Sequence, residues 1–315
     1  MVEISIIIPA HNVADYVAET LDSLLVQDDA DFEVLLIDDG STDTTLSVLQ
    51  RYEAQFHQRK RQCTVLSQKQ GGAGSARNAG LRRATGRLIG FLDADDLLHP
   101  GALTALIETI GTADCDLVFP LCRHVDLRGQ PTGVTSRIDR LRFSAEDLLR
   151  DNPIHSGSGV VIAAERAAAI GLFDVDLPAC IDLDYWVRLT EGRGKTITAV
   201  DRVLVDYRTR PGQITGSWKR MRVGWEAVVA GAIQRDCVDL SRLDGEARAR
   251  NLLVWATAAY KNREFAEARR LMAECWRTDP VFAISDQHAR VRSAAVLASL
   301  LPPPLHRTLQ AQFNG

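Results

Sequence analysis

Asp93, Asp95 and Asp96 place three carboxylates within four positions, directly after the apolar run 88–92. Like charges packed that closely repel one another, and each disfavours ionisation of its neighbour. A divalent cation relieves the repulsion. Mg²⁺ and Mn²⁺ take oxygen ligands and bind through one or two carboxylates together with substrate phosphates. The competing reading is an Asp-rich turn leading into a helix near Pro100, the commoner use of such residues taken alone. The rest of the N-terminal half tips the balance toward chemistry, because open α/β sheets bind ligands beyond the carboxyl ends of their strands.

Other residues share that placement. Asp38-Asp39-Gly40-Ser41 follows a second apolar run, where a carboxylate can accept a hydrogen bond from a nucleobase N–H. Ser41, Thr42 and Asp43 equally suit a turn with an N-cap, and both readings stand. The stretch 70–75, Gln-Gly-Gly-Ala-Gly-Ser, can bring backbone N–H groups to a phosphate. It follows the third strand and lacks the G-x-G-x-x-G spacing, so a dinucleotide fold is a poor match. Arg77 either pairs with a diphosphate, holds an Asp carboxylate, or forms a surface salt bridge. Far downstream, Asp182 and Asp184 stand near a helix start, where a carboxylate can take the proton of an attacking hydroxyl. Asp184 has Arg188 four residues on as a structural partner, which leaves Asp182 the better base candidate. Trp186 reads as core, and the loop 155–159 as a turn that could also line an acceptor pocket.

These residues need a scaffold. Runs 4–8, 32–37, 63–66 and 88–92 read as buried strands. Helices are expected between them: one N-capped by Asn12, one over 44–56, one over 76–84. The alternation predicts βαβ units and a largely parallel sheet. His11, Asp39, the glycine-rich loop and the Asp cluster then open on one edge. Further strands are expected at 117–121, 159–163 and 200–207, with a loop or hairpin over 123–143. Beyond residue 217 the pattern turns helical, and 248–260 with 265–276 resemble one tetratricopeptide unit. A last amphipathic helix over 291–301 sets Arg292 opposite Val296 and Leu297 and stops at Pro302-Pro303-Pro304. It either packs on the domain or lies at a membrane surface.

Composition bounds the rest. The chain has 315 residues, 46% of them hydrophobic, enough for one large core or two ordinary ones. A net charge of −4 argues against nucleic acid as a partner. No apolar run approaches the roughly 20 residues that span a bilayer, and residues 1–5 lack a basic leader. The six cysteines show no CxxC spacing, which favours reduced thiols over a zinc site. A cytoplasmic protein is expected.

In combination these motifs resemble family 2 glycosyltransferases, which have the GT-A fold. The resemblance covers about residues 4–215 and rests on Ile6-Ile7-Ile8-Pro9-Ala10-His11-Asn12, Asp38-Asp39-Gly40-Ser41-Thr42-Asp43, Ala76-Arg77-Asn78-Ala79-Gly80, Phe91-Leu92-Asp93-Ala94-Asp95-Asp96, Gly171-Leu172-Phe173-Asp174 and the run 182–189. It implies a Rossmann-like, mixed but mainly parallel sheet: a catalytic domain over 1–216 and a helical region over 217–315. It implies inverting transfer from a nucleoside-diphosphate sugar, most often a UDP-sugar, with Mn²⁺ or Mg²⁺. The acceptor would be a hydroxyl of a glycan, lipid-linked or protein substrate, as in surface-polysaccharide synthesis, with the enzyme in the cytoplasm or peripheral at the inner membrane face.

Carried over by position, the resemblance sets Pro9, His11 and Asn12 around the base and gives Asp39 its hydrogen bond. Arg77 lies near the diphosphate, Asp93 near the ribose, Asp95 on the metal with Asp93 as a second candidate ligand, and Asp182 is the base. Two positions depart from the pattern. His11 stands where Tyr or Phe is usual. Tyr207-Arg208-Thr209-Arg210 replaces Tyr-Arg-x-His, which removes a metal-ligand candidate and sets Arg210 against the diphosphate, with a weaker metal requirement as the expected consequence. A non-catalytic nucleotide-sugar binder that recruits a partner through its C-terminal helices is the alternative. A sugar-nucleotide pyrophosphorylase is set aside, because Pro9-Ala10-His11-Asn12 occupies the place of that family's Gly-rich, Arg-containing loop.

Overall fold

The computed structural model describes residues 2–27, 30–190, 196–210, 217–235 and 245–298. The chain divides into two compact units. One comprises residues 1–148, 153–177 and 181–211; the other comprises 149–152, 178–180 and 212–315.

The first unit opens as β1 (Ile4–Ala10), α1 (Val17–Leu25), β2 (Phe32–Asp38), α2 (Thr45–Gln58), β3 (Gln62–Ser67), α3 (Ala73–Leu81) and β4 (Leu88–Phe91). It continues through β5 (Leu97–Leu98), α4 (Ala102–Thr112), β6 (Leu117–Val125), β7 (Pro131–Thr135), β8 (Arg142–Phe143), α5 (Ala145–Arg150), β9 (Val161–Ala163), α6 (Ala164–Ile170), α7 (Ile181–Leu189) and β10 (Ile197–Arg208). The sheet runs β3-β2-β1-β4-β9-β6-β10-β5, with β7 on β6 and β8 on β10. The ladders β1–β2, β1–β4, β2–β3 and β6–β10 are parallel. The shorter pairings of β9, β5, β7 and β8 are antiparallel. This is the mixed GT-A sheet expected, and the segment 123–143 contributes the short strands β7 and β8.

β1 shows how sequence dictates the layers. Successive side chains of a strand point to opposite faces. Ile4, Ile6 and Ile8 enter one core with Val17, Leu21 and Leu24 of α1. Ile7 faces the other way, onto α3, where a Cβ at Gly80 would come within 2.5 Å of its Cγ2. A strand covered on both faces reads as a nearly continuous apolar run, as β1 and β2 do apart from Ser5 and Glu33, which hydrogen-bond each other at 2.6 Å.

Two helix starts differ from expectation. Asn12 does not cap α1. It sits at φ 50°, its Oδ1 accepts from Thr42 N–H at 2.8 Å, and α1 begins only at Val17. α3 begins at Ala73 and absorbs part of the glycine-rich stretch, with Gly72 at φ 86° as its N-cap.

The second unit holds α8 (Trp218–Gln234), α9 (Gly245–Lys261), α10 (Phe265–Thr278), α11 (Pro280–Ser285) and α12 (Gln287–Ala298). The Cys275 thiol, near the end of α10, donates to the Ala249 carbonyl near the start of α9, so the two helices run antiparallel. Leu252, Ala256, Ala259, Ala268, Leu271 and Met272 are buried. The Asp279 carboxylate accepts from Phe282 N–H at 2.8 Å and caps α11, with Pro280 in the first turn. In α12 Val296 is buried but Leu297 is 55% exposed, so the two do not share the expected apolar face. The proline run lies outside the described residues.

Candidate active site

The site is built where β1, β2 and β4 end. β1 delivers Pro9 and His11, and β2 delivers Asp38 and Asp39. The His11 Nδ1–H donates to the Asp39 carbonyl at 2.8 Å. That leaves Nε2 to accept from the Asn12 and Gln70 amides at 3.2 and 3.1 Å. Asn12 in turn receives Thr42 N–H, so the three residues tie the ends of β1 and β2 to the glycine-rich loop.

Asp39 organises that loop. Its carboxylate accepts from Gln68 Nε2 at 2.7 Å, Gly71 N–H at 2.8 Å and Gly72 N–H at 2.7 Å. A carboxylate offers about four lone-pair sites. The loop takes three of Asp39's, and one remains for a ligand. The approach is close: Gly40 stands at φ 68°, and a Cβ there would lie 2.8 Å from Gln70 N. Sequence reasoning missed this role and with it Gln68, whose side chain also donates to Ser75 Oγ at 3.1 Å. The sequence separation of 32 residues between Asp39 and Gly71 gave no local signal.

The three carboxylates after β4 are handled differently. Arg77 Nη2 donates to Asp93 Oδ1 at 2.7 Å, so Arg77 holds an Asp carboxylate, one of its three readings. Asp95 is 7% exposed and its carboxylate contacts Arg210 Nε. Burial and the neighbouring Asp93 charge push the Asp95 carboxyl above its ordinary range, with Arg210 opposing. Asp96 is wholly buried and accepts from Ser158 Oγ (2.6 Å), Ser156 Oγ (3.1 Å) and Arg208 N–H (2.8 Å). Burial, then the charges of Asp93 and Asp95, push it well above the usual carboxylate range. The loop 155–159 therefore serves the acid cluster rather than forming a plain turn, since Ser158 Oγ also receives Asp93 N–H at 3.0 Å.

Arg208 is the second residue that sequence reasoning missed. It is fully buried. Its Nε donates to the Asp95 carbonyl at 2.9 Å, Nη1 to the Leu127 carbonyl at 2.9 Å and Nη2 to Glu19 Oε2 at 2.6 Å. Alternation along β10 does not reveal its inward position, because the strand carries a register shift at Leu204.

Asp182 stands in the first turn of α7, where the helix dipole favours a carboxylate. Its Oδ1 accepts from Leu183 N–H at 2.9 Å. Asp184 instead pairs with Arg188 at 2.8 Å, the i, i+4 pair expected. α7 is fixed by an aromatic cluster: Phe173 stacks on Tyr185 at 3.9 Å between centroids, and Phe91 of β4 meets both Phe173 and Trp186 edge-on or tilted, within 6 Å. Trp186 is core. Asn78 clasps the backbone of Phe173 at 2.8 and 3.0 Å. A Cβ at Gly74 would lie 3.1 Å from Ile181, so the start of α7 rests on the start of α3. Asp182 follows Ile181, the residue that meets Gly74.

The fold is that of a GT-A-type α/β enzyme. Residues 5–173 match glycosyl transferase family 2. The putative teichuronic acid biosynthesis glycosyltransferase TuaG of Bacillus subtilis is 30% identical over 230 residues, 70% of this chain and 85% of the relative. The chain belongs to glycosyl transferase family 2 and is a glycosyltransferase related to enzymes of polysaccharide synthesis. Two solved structures share its fold. Staphylococcus aureus TarS in complex with UDP-GlcNAc is 20% identical, with a TM-score of 0.57 over 87% of this chain and 89% of that one. A mannosyltransferase from Pyrobaculum calidifontis, in complex with GDP-Man and Mn²⁺, is 21% identical, with a TM-score of 0.63 over 98% and 83%. Among the described residues no helix is long and apolar enough to cross a membrane.

Proposed function

We propose that this enzyme transfers a sugar from a nucleoside diphosphate, with UDP the favoured carrier, to an acceptor hydroxyl with inversion at the anomeric carbon. The acceptor is a glycan or lipid-linked chain of the cell surface, and the enzyme works in the cytoplasm or at the inner membrane face. Residues 1–216 carry the transfer. The observation that carries this reading is the convergence at one sheet edge of Asp39 with the glycine-rich loop, the Arg77–Asp93 pair and the Arg210–Asp95 pair.

Pro9, His11, Asn12 and Asp39 surround the base. Asp39 contributes the lone pair its loop leaves over, and Asp93 approaches the ribose. Arg77 and Arg210 face the diphosphate, where a planar guanidinium matches phosphate oxygens as well as carboxylates. Asp182 takes the proton of the acceptor hydroxyl as it attacks. One displacement then inverts the centre, and charge gathers on the departing diphosphate, where preorganised cationic groups stabilise it.

The donor set fits a hard divalent cation. Among the described residues no three His, Cys, Asp or Glu are gathered for one. Mg²⁺ and Mn²⁺ need only one or two carboxylates beside substrate phosphates. Asp95 and Asp93 would hold the ion; burial and then the Asp93 charge push the Asp95 carboxyl up, and a bound cation would offset both by favouring the ionised form. When bound, it would neutralise charge on the leaving diphosphate.

Calorimetric titration of UDP, GDP and dTDP, each with Mn²⁺, Mg²⁺ or EDTA, tests the reading. Cation-dependent binding of UDP above the others, lost in Asp95→Ala, is expected. Binding of none of the three would sink it.

A further inference from the structure

Each carboxylate assigned to the cation already carries a guanidinium. Arg77 holds Asp93, and Arg210 holds Asp95. The two arginines differ in setting. The Arg77 side chain is 11% exposed, lies over the Phe173 ring at 5.8 Å and has Gly157 against its Nη2. It is built into the wall. The Arg210 side chain is 32% exposed and follows the last residue pair of β10. The Asp95 backbone is held without it, because Arg208 Nε donates to the Asp95 carbonyl at 2.9 Å.

We propose that Arg210 is an internal counter-ion that closes Asp95 to divalent cations until a diphosphate draws it away. The inference rests on the reading of Asp95 as the cation ligand. A cation that approaches Asp95 Oδ2 meets the positive charge Arg210 Nε already sets there, and the two cations compete for the same carboxylate charge. A diphosphate offers the same planar pairing as a carboxylate, with more charge. As the guanidinium moves to phosphate, Asp95 Oδ2 is released. Cation and nucleotide therefore assist one another's binding, by the same factor in each direction. Arg210 acts here as a positioning residue: it sets the order in which Asp95 meets its partners.

Mn²⁺ binding to the 315-residue chain, followed by electron paramagnetic resonance without nucleotide, tests this directly. Arg210→Gln should bind Mn²⁺ at least about tenfold tighter than the wild type, roughly one factor of ten per 1.4 kcal/mol released. Arg210→Lys, which keeps the charge, should stay near the wild type, and adding Asp95→Asn to Arg210→Gln should abolish the gain. Arg210→Gln should also weaken UDP binding in EDTA. Arg210→Gln that binds Mn²⁺ no tighter than the wild type overturns the inference and leaves the Asp95 assignment standing. Mn²⁺ that strengthens UDP binding as well in Asp95→Asn as in the wild type overturns both. Should Arg210→Gln not fold, the wild type alone decides: Mn²⁺ affinity unchanged by UDP overturns the inference.

Discussion

Asp93, Asp95 and Asp96 stand side by side and meet three different electrostatic fates. Asp93 is half open and paired, Asp95 is buried and paired, and Asp96 is buried without a cation contact among its hydrogen bonds. Burial and its two acidic neighbours raise Asp96 in the folded state. A raised folded value means the native state holds the proton more tightly than the unfolded chain. Stability then falls as pH rises from the ordinary carboxylate value, about 4, through the raised one. Asp96→Asn keeps the volume and offers an acceptor to Arg208 N–H. Its stability should lose this component of pH dependence and exceed the wild type's at neutral pH, read from denaturant melts across that window. Asp96→Ala instead strands Arg208 N–H and two serine hydroxyls and should cost about 1–3 kcal/mol. If the Asn and Ala variants melt alike, the hydrogen bonds to Asp96 do not matter. At Asp182 the expected effect is purely kinetic. Asp182→Asn should lower kcat by about 10²–10⁴-fold, the range for a lost general base, while calorimetry shows UDP binding intact. Retained turnover would remove Asp182 from the mechanism. Asp39, Asp93 and Asp95 stand out as candidates because carboxylates after apolar runs are conspicuous, and Asp182 because it opens a helix. Arg208 was not, because its partners Glu19 and Leu127 lie 189 and 81 residues away and nothing local marks an inward arginine.

The elements show the same divide between local and distant causes. Strands β1, β2 and β4 announce themselves through nearly unbroken apolar runs. The start of α1 does not, because Asn12 spends its side chain on Thr42, across the sheet edge, and cannot cap its own helix. The start of α3 is set from outside as well: Asp39 accepts the N–H groups of Gly72, its N-cap, and of Gly71 just before it. α3 is therefore pinned at both ends of its inner face, by Asp39 at the loop and by close packing at Gly80. Gly80→Ala inserts a Cβ 2.5 Å from Ile7 Cγ2 and should destabilise by about 1–3 kcal/mol, the usual cost of overpacking. The effect should appear in the denaturant midpoint with an unchanged slope, since compactness is not altered. An unshifted midpoint would mean that α3 slides freely on β1.

At the scale of the molecule, the change of texture near residue 217 was legible, but it does not describe the helical unit completely. That unit includes residues 149–152 and 178–180, two short segments embedded in the sequence of the sheet unit. The Leu149 carbonyl accepts from Trp225 Nε1 at 3.1 Å and from Asn251 Nδ2 at 3.3 Å. The Pro178 carbonyl accepts from Arg220 Nη2 at 2.7 Å, and a Cβ at Gly224 would come within 2.5 Å of the Ala179 carbonyl oxygen. No pattern in 149–152 or 178–180 could show this, because hydrogen bonds to backbone carbonyls are indifferent to the residue that carries them. The consequence is physical. A fragment ending at residue 216 keeps both segments but loses every one of these partners. The 1–216 fragment should therefore melt at a lower temperature than the full chain, followed by circular dichroism. If the fragment instead melts with the full chain, the two segments contribute nothing to stability, and the sheet unit is thermally independent of residues 217–315.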